Sequence, residues 1–227
     1  MSRIEEKLKR LGRSGVGIGF RATAAPTSPG MLLIARISQE GPHSLEALAD
    51  AFLIEKGARP PSGVVWGAKV ETPTPEALAG LKEKGCDFVI LDADKAPASA
   101  LEVEMGHFVQ IDPSLPDSLL RAVEVLEVEG AFMEMETPAL RVQHLLLCQR
   151  VTGLVHKPIL VAVSPELSGA DVVQLRRVGV RGLVVRAEAR EKLEEWRQAL
   201  LGAKEKGKED VLLPRSEPPT PGEEDEE

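Results

Sequence analysis

Residues 168–188 read SGADVVQLRRVGVRGLVVRAE. Ser168 is a residue of N-cap type, because its hydroxyl can accept a first-turn N–H that has no partner inside a helix. Gly179 stops the segment, since glycine takes the left-handed conformation that closes a helix at little cost. Four residues later an apolar run of strand length begins, Leu183, Val184 and Val185. The stretch is thus a capped helix that hands over directly to a strand.

The same punctuation recurs on either side. Ser44 opens SLEALADAFLIEKG, which closes on Gly57, and Thr74 opens TPEALAGLKEKG, with a proline at the first helical position and Gly85 at the end. Thr137-Pro138 opens PALRVQHLLLCQRVTG, and a last helix from 188 to about 204 carries Leu193, Trp196, Leu200 and Leu201 on one face. Between these lie short runs rich in Val, Ile and Leu at 16–20, 32–37, 64–70, 88–91, 108–111, 131–135, 159–163 and 183–185. Strands alternating with helices predict βα units and a parallel sheet. Eight strands match a single-domain (β/α)8 barrel, a fold of about 200–250 residues. Only RATAAPTSPG joins the first two runs, and its two prolines resist a helix. The expectation is therefore a barrel whose first connection lacks a helix, with an N-terminal helix over 3–11 covering the bottom or that gap. The competing architecture is an open doubly wound sheet.

The stretch 169–188, a helix followed by a Gly-Val-x-Gly-hydrophobic strand, resembles the late βα units of phosphate-binding (β/α)8 barrel enzymes. The resemblance covers these twenty residues and implies the fold, not a reaction. Such barrels place glycine-rich turns after the seventh and eighth strands. Here SPELSGADVV offers only Ser168 and Gly169, and RAEAREK offers no glycine. A phosphate at the Ser168 helix end is a weaker match than the family pattern.

The barrel is expected to span 1–205. The remainder, 206–227, ends in SEPPTPGEEDEE, which has too few apolar side chains to offset its ordering entropy and reads as a disordered acidic tail. The net charge of −8 comes from 36 acidic and 28 basic residues. Six acids lie beyond Ser216, and without them 30 acidic face 28 basic residues, a net of −2. No basic cluster stands out, so a nucleic-acid partner is not expected. At 3% aromatics with no Tyr, a base-stacking platform is not expected either. No run reaches the length of a membrane span, and MSRIEEKLKRLGR holds no secretory apolar core, so a cytoplasmic protein is expected. Cys86 and Cys148 are too few for a disulfide framework or a four-cysteine zinc site. The sequence leaves a homo-oligomer open.

Strand alternation carries the functional signal. One face of a barrel strand packs on helices and must be apolar, while the other faces the interior and can turn polar near the C-terminal mouth. Val64, Trp66, Ala68 and Val70 share the outer face, so Lys69 points inward. The same phase gives an inward layer of Gly19, Arg36, Lys69, Asp92, Gln110, Glu134, Ala162 and Arg186. Above it lies a rim of Arg21, Ser38, Glu71, Asp94, Asp112, Glu136, Ser164 and Glu188. Charges in a concave site must pair, bind a ligand or meet water.

The candidate catalytic set is Lys69, Asp92 and Glu134, with the two carboxylates as general acid and base. Arg36 and Arg186 are candidates for holding a carboxylate or phosphate of an anionic small molecule, with Gln110, Ser164 and Ser168 completing the substrate contacts. Lys69 reads as an ion-pairing or anion-binding lysine ahead of a Schiff-base one. The acids supply oxygens for Mg²⁺, but the inward cations oppose a cation site, so no cofactor is expected. No hydride-transfer or nucleotide motif is present, which leaves a lyase or isomerase as the reaction class. The alternative is a catalytically degenerate barrel serving as a binding or assembly protein, its ring satisfied by internal pairs such as Arg36–Asp92 or Lys69–Glu134.

Overall fold

Eight parallel strands close on themselves in chain order, the last pairing with the first. The computed structural model describes residues 2–13, 29–38, 45–55 and 58–203. The strands are β1 (Leu32–Ile37), β2 (Ala51–Ile54), β3 (Trp66–Val70), β4 (Phe88–Asp92), β5 (Gly106–Gln110), β6 (Gly130–Met135), β7 (Ile159–Val163) and β8 (Gly182–Arg186). Helix α1 (Arg3–Arg13) precedes them. Between strands lie α2 (Pro75–Glu83), α3 (Asp117–Ala122), α4 (Val142–Val155) and α5 (Gly169–Arg177), and α6 (Arg190–Gly202) follows β8.

The fold is the expected (β/α)8 barrel, with one strand different from the sequence reading. The run at 16–20 lies outside the described residues, as do Gly19, Arg21 and the tail from 204 onward. The second strand instead comes from the segment read as a helix over 44–57. Its described part makes only one turn, with the Leu48 and Ala49 amides donating to the Leu45 carbonyl. Asp50 then ends that turn. Its amide donates to the Leu33 carbonyl at 2.7 Å, and its carboxylate accepts from the Leu33 amide at 2.9 Å. Arg197 of α6 donates to the Leu48 carbonyl and to Asp50. Pinned there, Ala51–Ile54 is buried on both faces and extends as β2. The connections after β1 and after β2 carry no helix among the described residues. Helix α4 also starts later than expected, at Val142, because the Thr137 hydroxyl turns to the Ala139 carbonyl and the Arg141 amide donates to His144 Nδ1.

The capped helices form where their signals stand. Thr74 accepts the Ala77 amide at the start of α2, and Gly85 closes it at φ +86°. Outward strand residues such as Leu33, Val89, Leu91, Ala131, Met133 and Val185 make one apolar layer with the helices. Inward residues make a second core, in which Leu32, Ile34, Leu53, Ile90 and Leu160 surround Phe88, Phe108 and Phe132. Phe88 and Phe108 meet edge to face at 5.7 Å. Three rings fit because the neighbouring inward position is glycine: a Cβ on Gly67 would lie 2.5 Å from the Phe88 ring. Ile4, Leu8 and Leu11 of α1 join this inner core and plug the bottom of the barrel. Asp87, just before β4, accepts the Arg3 and Ile4 amides, each at 2.8 Å, and so caps the plug from outside its own helix.

Candidate active site

Six strands turn from apolar or glycine to polar toward their C-terminal ends, whereas β7 keeps Ala162 inward. Ile34 gives way to Arg36, Gly67 to Lys69, Ile90 to Asp92, Phe108 to Gln110, Phe132 to Glu134 and Val184 to Arg186. The lower positions are sealed by the plug and the phenylalanine layer, whereas the upper ones meet solvent, where charge is tolerated. The structure therefore brings Arg36, Lys69, Asp92, Gln110, Glu134 and Arg186 to the inner face at the C-terminal mouth.

Strand β6 supplies the carboxylates that tie the ring together across the barrel. Glu134 Oε1 accepts from Lys69 Nζ at 2.7 Å, and that ammonium stands 5.8 Å above the centre of the Phe132 ring. Glu136 lies just beyond the strand. Its Oε1 accepts from Arg36 Nη2 at 2.6 Å and its Oε2 from Arg186 Nη2 at 3.2 Å. Arg36 Nε also lies 3.4 Å from Glu55 Oε1. The pairing foreseen for Arg36 with Asp92 does not form, because Asp92 accepts from Lys95 Nζ at 2.6 Å and from the Asp94 amide at 3.1 Å. Those two donors, Lys95 first, hold the Asp92 carboxyl below the usual carboxylate range.

Of the cavities that meet this ring, two take in Asp92 or the ring arginines. One, of about 510 Å³, is lined by Glu55, Lys69, Glu71, Asp92, Lys95 and Gln110. The other, of about 820 Å³, lies toward α6 and is lined by Arg36, Ser38, Glu55, Arg186, Glu188 and Lys192 among others. Glu55 faces both, and it is a residue that sequence reasoning missed. It follows β2, so reading that segment as a helix removed it from the ring. The alternation Ala51, Leu53, Glu55 was the signal that could have found it. Lys95 was missed because it lies in the turn beyond β4, outside the strand pattern.

Ser164 and Ser168 line neither cavity. The Ser164 hydroxyl accepts the Glu166 amide, closing the turn after β7. Ser168 caps α5, where its hydroxyl donates to Asp171 and accepts the Asp171 amide. The Ser168 amide donates to the Asp171 carboxylate and the Gly169 amide to Glu195. The anion-attracting end of α5 is thus occupied by two of the protein's own carboxylates.

No three His, Cys, Asp or Glu side chains among the described residues are grouped to hold a metal ion. Burial pushes the Cys86 thiol up to about 12 and the Cys148 thiol up to about 11, so both stay protonated at neutral pH. No described helix is long and apolar enough to cross a membrane.

No protein-family model and no curated protein matches the chain. Solved structures do. A tryptophan synthase α-subunit from Pyrococcus furiosus superposes with a TM-score of 0.54 at 16% identity, over 74% of this chain and 96% of that one. A tryptophan synthase chain from M. tuberculosis gives 0.59 at 14% identity, over 88% and 98%. A chain of the BexX/CysO complex of Amycolatopsis orientalis gives 0.53 at 17% identity, over 83% and 93%. At such identities these likenesses, together with the closed eight-stranded sheet, establish a (β/α)8 barrel and nothing narrower.

Proposed function

We propose that the barrel binds a carboxylated or phosphorylated small molecule in its C-terminal mouth and acts on it as a lyase or isomerase. The observation that carries this reading is a partly exposed ring of charge whose members form two separate pairings. One joins the arginines Arg36 and Arg186 through Glu136, and the other joins Lys69 to Glu134. The arginines hold the anionic group. Lys69 and Gln110 polarise a carbonyl oxygen. Glu134 takes a proton from the adjacent carbon, and the electron pair moves onto that oxygen. Returning the proton to a neighbouring atom completes an isomerisation, whereas expelling a leaving group one carbon further on completes an elimination. Asp92, held ionised by Lys95, is the second proton carrier.

The pairs in the ring do not block such a ligand. The Lys69 and Glu134 side chains are 35% and 44% exposed, and exposed pairs are worth about 0–1 kcal/mol, so opening them costs little. The second reading, a non-catalytic scaffold, draws on the same pairing, since Arg36, Lys69 and Arg186 all have carboxylate partners. Thermal-shift screening of the full chain against carboxylated and phosphorylated metabolites separates the two. An anion that raises Tm in the wild type and not in Arg36→Ala/Arg186→Ala supports binding. Deuterium uptake from D₂O into that compound, lost in Glu134→Gln, supports turnover. Stabilisation by no anion, or by anions regardless of both arginines, sinks the proposal. Binding without exchange leaves the scaffold.

A further inference from the structure

The mouth already contains an anion. Arg36 and Arg186 are register partners on the adjacent strands β1 and β8, so two guanidinium groups emerge side by side. Like charges so placed repel unless an anion lies between them. The anion here is the Glu136 carboxylate, which arrives from β6 and gives one oxygen to each arginine. Two donors converging on the two oxygens of one carboxylate form the arrangement by which arginines hold a ligand's oxyanion. Arg36 is 15% exposed and has Glu55 on its Nε side, so its charge is met by protein carboxylates from two directions. Arg36 and Arg186 together with Glu55 and Glu136 carry no net charge, which leaves no electrostatic surplus for a weak anion.

Resting on the reading of the mouth as an anion site, we infer that Glu136 is its specificity gate. In the ligand-free chain Glu136 fills the oxyanion position between Arg36 and Arg186, and an incoming anion must displace it. A monocarboxylate merely exchanges one carboxylate for another. It gains no charge, and it competes against a group that is already tethered in place. A phosphate dianion carries a second charge and further acceptor oxygens, so it can supplant Glu136 where acetate cannot. The gate therefore selects phosphorylated over simply carboxylated ligands. Among the described residues no other group holds Glu136, and its side chain is 36% exposed, so it has room to swing aside.

The test is calorimetric titration of the full chain with inorganic phosphate and with acetate, in the wild type, Glu136→Gln and Glu136→Ala. The two substitutions guard against one failing to fold, and circular dichroism confirms folding of each. The expected result is phosphate binding in the wild type, at least tenfold tighter in the variants. Acetate binding should be measurable only in the variants. Phosphate affinity that is unchanged or weakened on removing the carboxylate, with wild-type binding intact, overturns the gate and leaves the anion site standing. Absence of phosphate binding in wild type and variants alike overturns both.

Discussion

Asp92 shows how one neighbouring side chain sets the working state of a residue in the mouth. Its carboxyl lies below its ordinary value of 3.8, first because Lys95 donates to it and then because the Asp94 amide does. A carboxyl lowered on folding contributes stability above its unfolded pKa and loses that contribution as pH falls through the folded value. Asp92 is an anion throughout the neutral range. Lys95→Gln should move its titration up toward 3.8, as followed by carboxyl ¹³C chemical shifts. A midpoint that stays where it was would mean that the Lys95 contact does not persist in solution. The inward position of Asp92 was legible without a structure. When one strand face is buried, a shift by one residue would bury every charge, so the alternation leaves a single phase. Lys95 was not legible, because a turn residue has no such periodic constraint.

At the scale of elements, the bottom plug depends on a cap supplied from elsewhere in the chain. The first N–H groups of α1 have no intrahelical partners, and Asp87 takes the amides of Arg3 and Ile4 while Arg3 Nε lies 3.6 Å from the same carboxylate. Replacing an N-cap acid by alanine costs about 0.5–2 kcal/mol. Asp87→Ala should therefore lower the unfolding free energy read from urea denaturation by that amount, and Asp87→Asn, which keeps one acceptor oxygen, by less. An unchanged value would show that the plug docks by its apolar face alone. Most elements could be read from their caps, because Ser168 and Thr74 at one end and Gly179 and Gly85 at the other act locally. β2 could not. Ala51–Ile54 is a short continuous apolar run, and periodicity alone does not separate a doubly buried strand from a helix face. What decides it is Asp50 gripping the Leu33 amide, a contact between residues 17 apart. That single misreading also hid Glu55.

Across the whole molecule, stability and chemistry occupy different heights of the same barrel. Below, the three phenylalanines, the glycine gaps and the α1 plug form an interior with no room to spare. Above, the ion pairs are partly exposed, and each is worth about 0–1 kcal/mol. The two halves should respond oppositely to substitution. Gly67→Ala places a methyl group 2.5 Å from both the Phe88 ring and the Phe88 carbonyl oxygen, and overpacking of this kind costs about 1–3 kcal/mol. Lys69→Met and Glu134→Gln leave the packing of that layer in place, Lys69→Met removing only the ammonium 5.8 Å above Phe132, and should each shift stability by less than about 1 kcal/mol. Chemical denaturation of the three variants measures the contrast. If the ring variants lose as much stability as Gly67→Ala, the ring holds the barrel together, and the scaffold reading gains at the expense of the enzyme. If they stay within the smaller range while deuterium exchange into the ligand is lost, the charged mouth is dispensable to the fold, and its presence calls for a ligand.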